Sequence, residues 1–315
     1  MPITNKRFDM RHSHLLRFIL LLVFANVLRV TAQELPCQFR IGLIADPQYA
    51  DLEDRGERRY RQSLQKIEES VHELNNQAVD FTFVLGDLVD QGINDLPRIA
   101  ERLAKLDSPT FKLLGNHDYV HTEDGKNLYK AFDMPASYYS VNKGDWVFIL
   151  LNTNEVSQYA TKVDTYERIY WQRQQDSLKR QGRTNAALWN GGVGPQQFAW
   201  LKGQLDEAQN ANKHILVLTH HPLFPENGLE ALNNRELLEL IAQFPNVRAV
   251  LSGHHHAGNF GVYKGIPMVT LEGMVEGRDN AFGVLNCFPD RIEIHGKGRL
   301  TSRVLWFPRK ADRKK

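Results

Sequence analysis

The sequence has little cysteine, little net charge and no long hydrophobic run. Two cysteines in 315 residues are too few for an all-cysteine iron–sulfur cluster or a four-cysteine zinc site. The formal net charge of +2 is too close to zero to indicate nucleic acid as the main partner. No internal repeat occurs, and low complexity is confined to the basic tail, 309–315. With 42% hydrophobic residues, the chain has enough apolar side chains for a large buried core.

The N-terminal segment, 1–32, has the features of a secretory signal peptide. Basic residues precede a short apolar run, Phe18–Leu28, and Thr31 and Ala32 supply short side chains before Gln33. The run is shorter than the roughly 20 apolar residues that a membrane-spanning helix needs, so stable membrane insertion is not expected. A retained anchor is the alternative. We expect a secreted or periplasmic monomer whose domain spans 33–315.

Export would place Cys37 and Cys287 in an oxidising compartment. The first precedes the first predicted strand, and the second lies in a late strand. A disulfide and two separately buried thiols both remain open.

Strands and helices alternate in the first part of the domain. Strands are predicted at 39–45, 81–85 and 110–114, with amphipathic helices over 57–76 and 96–106 between them. This alternation indicates an α/β protein with a parallel sheet and crossover helices. The later predicted elements are a hairpin over 137–151, helices at 166–181, from Pro195 and at 229–244, strands at 214–219 and 247–251, and a meander over 266–306.

Metal-type ligands follow five of the predicted strands. They are Asp46, Gln48, Asp87, Asn116, His220, His254 and His256. Each has an ordinary explanation by itself: Asp87 could cap a helix, Asn116 could be a turn residue, and His220 could be a buried core histidine. Their joint occurrence at strand ends, where α/β proteins bind ligands, indicates a site. Oxygen and imidazole donors without thiolates suit hydrolytic divalent metals.

The sequence blocks around these residues resemble the calcineurin-like metallophosphoesterases, from about Phe39 to Trp306. The blocks are Asp46-x-Gln48, Gly86-Asp87-x-x-Asp90, Gly115-Asn116-His117-Asp118, His220-x-Pro222 and Gly253-His254-x-His256. Most of that superfamily has histidine where this chain has Gln48. In this respect the chain is similar to the manganese-dependent ADP-ribose/CDP-alcohol diphosphatases. The segments 46–51, 189–194, 270–273 and 281–283 also resemble that branch.

The resemblance implies a four-layer α/β/β/α sandwich, in which helices flank two mixed sheets, and two divalent metal ions. Manganese is the preferred metal, with iron, zinc or magnesium possible. One ion would be held by Asp46, Gln48, Asp87 and His256, and the other by Asp87, Asn116, His220 and His254. His220 is preferred to His221 because the family ligand precedes the proline by two places. His255 is not expected to be a ligand.

The implied activity is cleavage of the pyrophosphate in a nucleotide-type small molecule such as ADP-ribose or a CDP-alcohol. A hydroxide bridging the two ions would attack phosphorus, and the catalytic residue His117 would contact the phosphate or protonate the leaving group. Substrate-binding candidates from the resemblance are Tyr49, Asn190, Gly191, Glu272 and Phe282, although aromatic residues there could equally be core. The alternatives are a phosphomonoesterase or phosphodiesterase of the same superfamily, and a binding module without activity.

Overall fold

The computed structural model describes residues 35–123 and 125–307. The predicted signal peptide and the basic tail lie outside these residues. In the part of the chain that is described, no helix is both long and apolar enough to cross a membrane.

The domain is built from strands and helices that alternate through its first half. The helices are α1 (Ser63–Asn76), α2 (Leu96–Leu103), α3 (Tyr166–Arg180), α4 (Pro195–Asn210) and α5 (Asn234–Ile241). The strands are β1 (Phe39–Ile44), β2 (Phe81–Leu85), β3 (Thr110–Leu113), β4 (Tyr139–Lys143), β5 (Trp146–Leu150), β6 (His214–Leu218), β7 (Val247–Ser252), β8 (Ala257–Tyr263), β9 (Ile266–Glu272), β10 (Ala281–Cys287), β11 (Arg291–Gly298) and β12 (Arg303–Trp306).

These strands form two mixed sheets, ordered β12-β11-β10-β1-β2-β3 and β4-β5-β6-β7-β9-β8. In the first sheet β1, β2 and β3 are parallel, as the alternation of strands and helices predicts. In the second sheet β5, β6, β7 and β9 are parallel. Because parallel neighbours end at the same edge of a sheet, the polar residues that follow β1, β2 and β3 emerge together, as do those that follow β6 and β7.

Three apolar layers hold the sandwich together. The layer between the sheets is rich in aromatic residues and includes Phe39, Phe83 and Phe148. A second layer joins α1 and α2 to the outer face of the first sheet, and a third joins α4 and α5 to the second sheet. The predicted four-layer α/β/β/α fold is therefore confirmed.

Several element boundaries differ from the predictions. The first helix begins at Ser63 and not at Glu57, because Arg58 pairs with Glu276 and the amide of Gly277 donates to the carbonyl of Glu57. This pairing holds the residues before the helix in a turn. Leu106 lies beyond the end of α2, and the helix predicted over 229–244 is confined to Asn234–Ile241.

The predicted single meander over 266–306 is wrong, because its strands belong to two sheets. Strand β9 pairs with β7 and β8, whereas β10, β11 and β12 extend the first sheet. Strand β8 was not predicted. It is an edge strand without a fully buried residue, so its sequence lacks the apolar alternation by which strands are recognised.

Both cysteines are free thiols in the structure. Cys287 lies in the layer between the sheets, and the thiol of the half-buried Cys37 donates to the carbonyl of Phe39.

Candidate metal centre

The predicted ligands converge where the ends of the two sheets meet. Four of them, Asp46, Gln48, Asp87 and His254, have positive φ angles of 49°, 44°, 49° and 68°. Non-glycine residues adopt this left-handed conformation at a cost in free energy, and such strain concentrates at functional sites. These four residues lie in the turns after β1, β2 and β7, where the left-handed conformation directs their side chains toward the same region.

Two overlapping groups of donor atoms lie at that point. Asp46, Asp87 and His256 form one group, and Asp87, His220 and His254 form the other, each with its donor atoms within 4.8 Å of one another. Asp87 belongs to both groups. Its carboxylate is therefore placed to offer oxygens to two neighbouring ions.

The two predicted amide ligands lie beside these groups. The Asn116 Oδ1 is 3.2 Å from His220 Nε2. The Gln48 Nε2 donates to Asp87 Oδ2 at 2.9 Å, while the buried Gln48 Oε1 has no hydrogen-bond partner among the described residues. A buried carbonyl oxygen without a partner is costly, and this one is available to a cation.

Three glycines allow the ligands to approach so closely. A Cβ added at Gly86 would lie 2.5 Å from His220 Nδ1, and one at Gly115 would lie 2.1 Å from Asp87 Oδ1. A Cβ at Gly253 would lie 2.6 Å from Asp46 Oδ2. Any larger residue at these positions would displace a predicted ligand.

His220, and not its neighbour His221, faces the centre. The Nδ1 of His220 contacts the carbonyl of Leu85 at 2.9 Å, so Nε2 is the ring nitrogen that faces the centre, 3.4 Å from Asp87 Oδ2. The Nδ1 of His221 contacts the Thr153 hydroxyl at 2.9 Å, and its Nε2 contacts the amide of Gly191 at 3.3 Å. These contacts keep His221 as a core residue.

His254 and His256 are also oriented by a polar partner on the ring nitrogen that points away from the centre. The His256 Nδ1 is 2.8 Å from Glu276 Oε1, and the His254 Nε2 is 3.2 Å from Asn190 Oδ1. The opposite nitrogen of each ring then faces the donor groups: His254 Nδ1 is 3.2 Å from His220 Nε2, and His256 Nε2 is 3.8 Å from Asp46 Oδ1. Partners behind a metal-binding histidine orient its ring in this way. Glu276 was not predicted, because its position depends on a contact between distant loops.

Burial and neighbouring charges set the protonation of the centre. Burial raises the pKa of Asp87, but His220 and His117 outweigh it and hold that pKa well below its usual range. Burial lowers the pKa of His220, but Asp87 outweighs this and raises it to about 9. Burial, His221 and His220 all lower the pKa of His254. Asp87 is therefore an anion at neutral pH, and His254 is a neutral imidazole.

His117 lies at the edge of this centre and faces the cleft. Its backbone amide donates to Asp87 Oδ1 at 2.8 Å, and its Nδ1 is 3.0 Å from Asp90 Oδ1. Burial lowers the pKa of His117, but Asp87 and Asp90 outweigh it and raise that pKa to about 9. His117 is thus a proton donor at neutral pH.

Asp90 and Asp118, two acidic residues of the sequence blocks, hold the loops of the centre in position. Asp90 is the partner of His117. Asp118 accepts from the amides of Gly115 at 2.8 Å and Val89 at 3.1 Å, which ties the loop after β3 to the loop after β2. The sequence blocks contain both residues, but their spacing alone did not reveal these roles.

A cleft of about 830 Å³ opens above the centre. Besides six of the predicted site residues, its walls include Arg58, Trp189, His255, Glu276 and Arg299. His255 contacts Asn227 at 3.0 Å and lies outside both donor groups. The cleft is wide enough for a substrate larger than a single phosphate ester.

The five predicted substrate-binding residues are not among the described residues that line the cleft. Tyr49 and Phe282 are buried in the layer beneath α1 and α2. Asn190 and Gly191 are buried behind His254 and His221. Glu272 accepts hydrogen bonds from Thr301. Their role in substrate binding stays a prediction.

A cleft above two ligand groups that share a carboxylate defines the class of two-metal hydrolases. Residues 39–258 match the family model of the calcineurin-like phosphoesterases, and the chain belongs to that family. The resemblance noted from the sequence blocks is thereby confirmed.

Curated relatives match most of the chain. A protein of Oryza sativa subsp. japonica named manganese-dependent ADP-ribose/CDP-alcohol diphosphatase is 25% identical over 303 residues, covering 85% of this chain and 94% of its own. The Homo sapiens protein of that name is 27% identical over 320 residues, covering 85% and 92%. Among solved structures, a dimetal phosphatase from Danio rerio shares the fold with a TM-score of 0.79, at 22% identity, over 87% of this chain and 100% of its own.

Proposed function

We propose that this protein is a dimetal-dependent phosphohydrolase that cleaves the pyrophosphate of nucleoside diphosphate-linked small molecules, such as ADP-ribose or CDP-alcohols. The observation that carries the proposal is Asp87, which belongs to both donor groups at the floor of the cleft. The names of the relatives support the class of substrate.

The residues present fit two divalent ions. The unpartnered Gln48 Oε1, the three glycines without room for a Cβ, and the mixture of carboxylate, amide and imidazole donors all favour bound cations. In this proposal one ion is held by Asp46, Gln48, Asp87 and His256, and the other by Asp87, Asn116, His220 and His254. Oxygen-rich coordination favours Mn²⁺ over softer metals.

Bound divalent ions supply Lewis-acid chemistry, which activates water near neutral pH and offsets the charge of the phosphate. The chain itself supplies the proton for the leaving group. Because the Nδ1 of His117 is 3.0 Å from Asp90, its Nε2 is the nitrogen directed away from that carboxylate. A proton on Nε2 passes to the phosphate oxygen released when the P–O–P bridge breaks.

The proposal is tested by comparing three substrates with the Mn²⁺-loaded protein. ADP-ribose should yield AMP and ribose 5-phosphate, and CDP-choline should yield CMP and phosphocholine, each with kcat/KM at least about tenfold above that for p-nitrophenyl phosphate. A preference for the monoester would contradict the proposal and favour a phosphomonoesterase. A bis-aryl phosphodiester is assayed as a fourth compound. If the protein hydrolyses none of the four compounds, a binding module without activity would be favoured.

We also propose that the chain is exported and acts as a monomer. The basic, apolar and short-residue pattern of 1–32 supports export. Light scattering after gel filtration tests the monomer: a dimeric mass would contradict this part of the proposal.

A further inference from the structure

Arg299 is a cleft residue whose donors are incompletely used. It lies in the turn between β11 and β12 and forms part of the cleft wall. Its Nη2 donates to the carbonyl of Gly273. Its Nε is buried and has no hydrogen-bond partner among the described residues. A partly buried guanidinium of this kind is costly unless an anion pairs with it.

Three carboxylates act on the charge of Arg299. Glu276 and Glu272 are engaged elsewhere, and Asp279 is exposed to solvent. Glu276 contacts His256 Nδ1 at 2.8 Å and Arg58 Nε at 3.6 Å. Glu272 accepts from the hydroxyl of Thr301 at 2.6 Å and from its amide at 3.2 Å. Within the described part of the chain, no carboxylate lies within ion-pair distance of Arg299, whereas Arg58 is within 4.0 Å of both Asp90 and Glu276.

Gly273 lies between Arg299 and the predicted metal ligand His256. A Cβ added at Gly273, whose carbonyl holds Arg299, would be 2.8 Å from the ring of His256. The Arg299 side chain also passes close to Gly277, where an added Cβ would lie 3.7 Å from its Cδ and Nε. The guanidinium therefore lies on the side of the donor group formed by Asp46, Asp87 and His256.

We propose that Arg299 binds the second phosphate of the substrate, the one that is not attacked, and so makes the site select pyrophosphates over simple phosphate esters. The inference rests on the proposed function. A guanidinium remains charged at all working pH values and offers paired N–H donors that match phosphate oxygens. While the centre holds the phosphate under attack, Arg299 is placed to hold its neighbour along the cleft wall.

The test measures binding, so that it does not depend on turnover. Calorimetry on the Mn²⁺-loaded protein compares α,β-methylene-ADP, a diphosphate that cannot be hydrolysed at its bridge, with AMP. Wild type should prefer the diphosphate, and Arg299→Gln should reduce that preference roughly 10- to 100-fold, the range for a hydrogen bond to a charged group. Affinity for AMP should stay within about twofold, because AMP has no second phosphate.

Two further variants make the result specific. Arg278→Gln removes the same charge from the neighbouring exposed loop position and should leave the preference unchanged. Arg299→Lys keeps a charge but loses the paired donors, so it should reduce the preference for the diphosphate severalfold. If Arg299→Gln does not fold, the Arg299→Lys variant tests the inference.

An unchanged preference in both Arg299 variants, or an equal loss for AMP and the diphosphate, would overturn the inference. Hydrolysis of ADP-ribose and CDP-choline, measured in parallel, separates this outcome from failure of the proposed function. If the preference for the diphosphate over AMP depends on Arg299 but neither ADP-ribose nor CDP-choline is hydrolysed, only the proposed function is contradicted. Wild-type hydrolysis together with a preference independent of Arg299 would contradict this inference alone.

Discussion

Alanine at Gly115 should disable the site while the fold persists. The added Cβ would lie 2.1 Å from Asp87 Oδ1, 2.4 Å from Asp87 N and 2.5 Å from His220 Cε1. Relieving these contacts requires the Asp87 carboxylate to move by about 1 Å, a displacement that can cost about 10²-fold in rate. Overpacking should lower the free energy of unfolding by about 1–3 kcal/mol, which a domain of this size tolerates.

The matched control is Gly203→Ala in α4, where no atom lies within 4 Å of the added Cβ. Alanine in a helix interior is more stable than glycine by about 0.5–1 kcal/mol, so this variant should keep full activity and melt slightly higher. The assay is ADP-ribose hydrolysis at saturating Mn²⁺, with circular dichroism and Tm as checks on folding. A folded Gly115→Ala protein within about threefold of wild-type kcat would refute the steric reasoning, since a 1 Å shift should cost far more.

Three further predictions concern separate parts of the molecule. His117→Ala should lower kcat by roughly 10²–10⁴-fold, as expected for loss of a general acid, with metal content unchanged; a parallel fall in metal content would make His117 a ligand. Gln48→His should tighten one metal position and shift the activating metals toward Zn²⁺, because imidazole is a good zinc ligand; identical activation constants for Mn²⁺, Mg²⁺ and Zn²⁺ in both proteins would mean that Gln48 does not contact metal. N-terminal sequencing of protein from the native host should begin near Gln33, and an intact Met1 in the mature protein would contradict export.

The parts of the fold that the sequence predicted are those with a local signal. Strand β2 was predicted with its observed bounds, Phe81–Leu85, because a strand buried on both faces is a continuous apolar run. The predicted ligands directly follow strands, and Gly86, Gly115 and Gly253 mark three of the turns. Their convergence within each sheet was predictable because parallel strands end at one edge of a sheet, whereas the meeting of the two sheets has no local signal in the sequence.

The features that were missed depend on contacts between distant segments. The start of α1 is delayed by pairing between Arg58 and Glu276, and the partner of His256 is also Glu276. Neither contact has a local pattern in the sequence. The substrate-binding residues were transferred from a resemblance, and Tyr49 and Phe282 are buried in the apolar layer beneath α1 and α2, where no local pattern in the sequence separates a binding residue from a core residue.

The most direct test of the central claim is electron paramagnetic resonance combined with metal counting on the Mn²⁺-loaded protein. If Asp87 joins two ions, wild type should bind two Mn²⁺ per chain whose signals are magnetically coupled, as expected for ions about 3.5–4 Å apart. Asp87→Asn should lose the coupling and fall below about a tenth of wild-type kcat, since both donor groups lose an anionic ligand. Two uncoupled ions in wild type, or a coupled and active Asp87→Asn protein, would contradict the account.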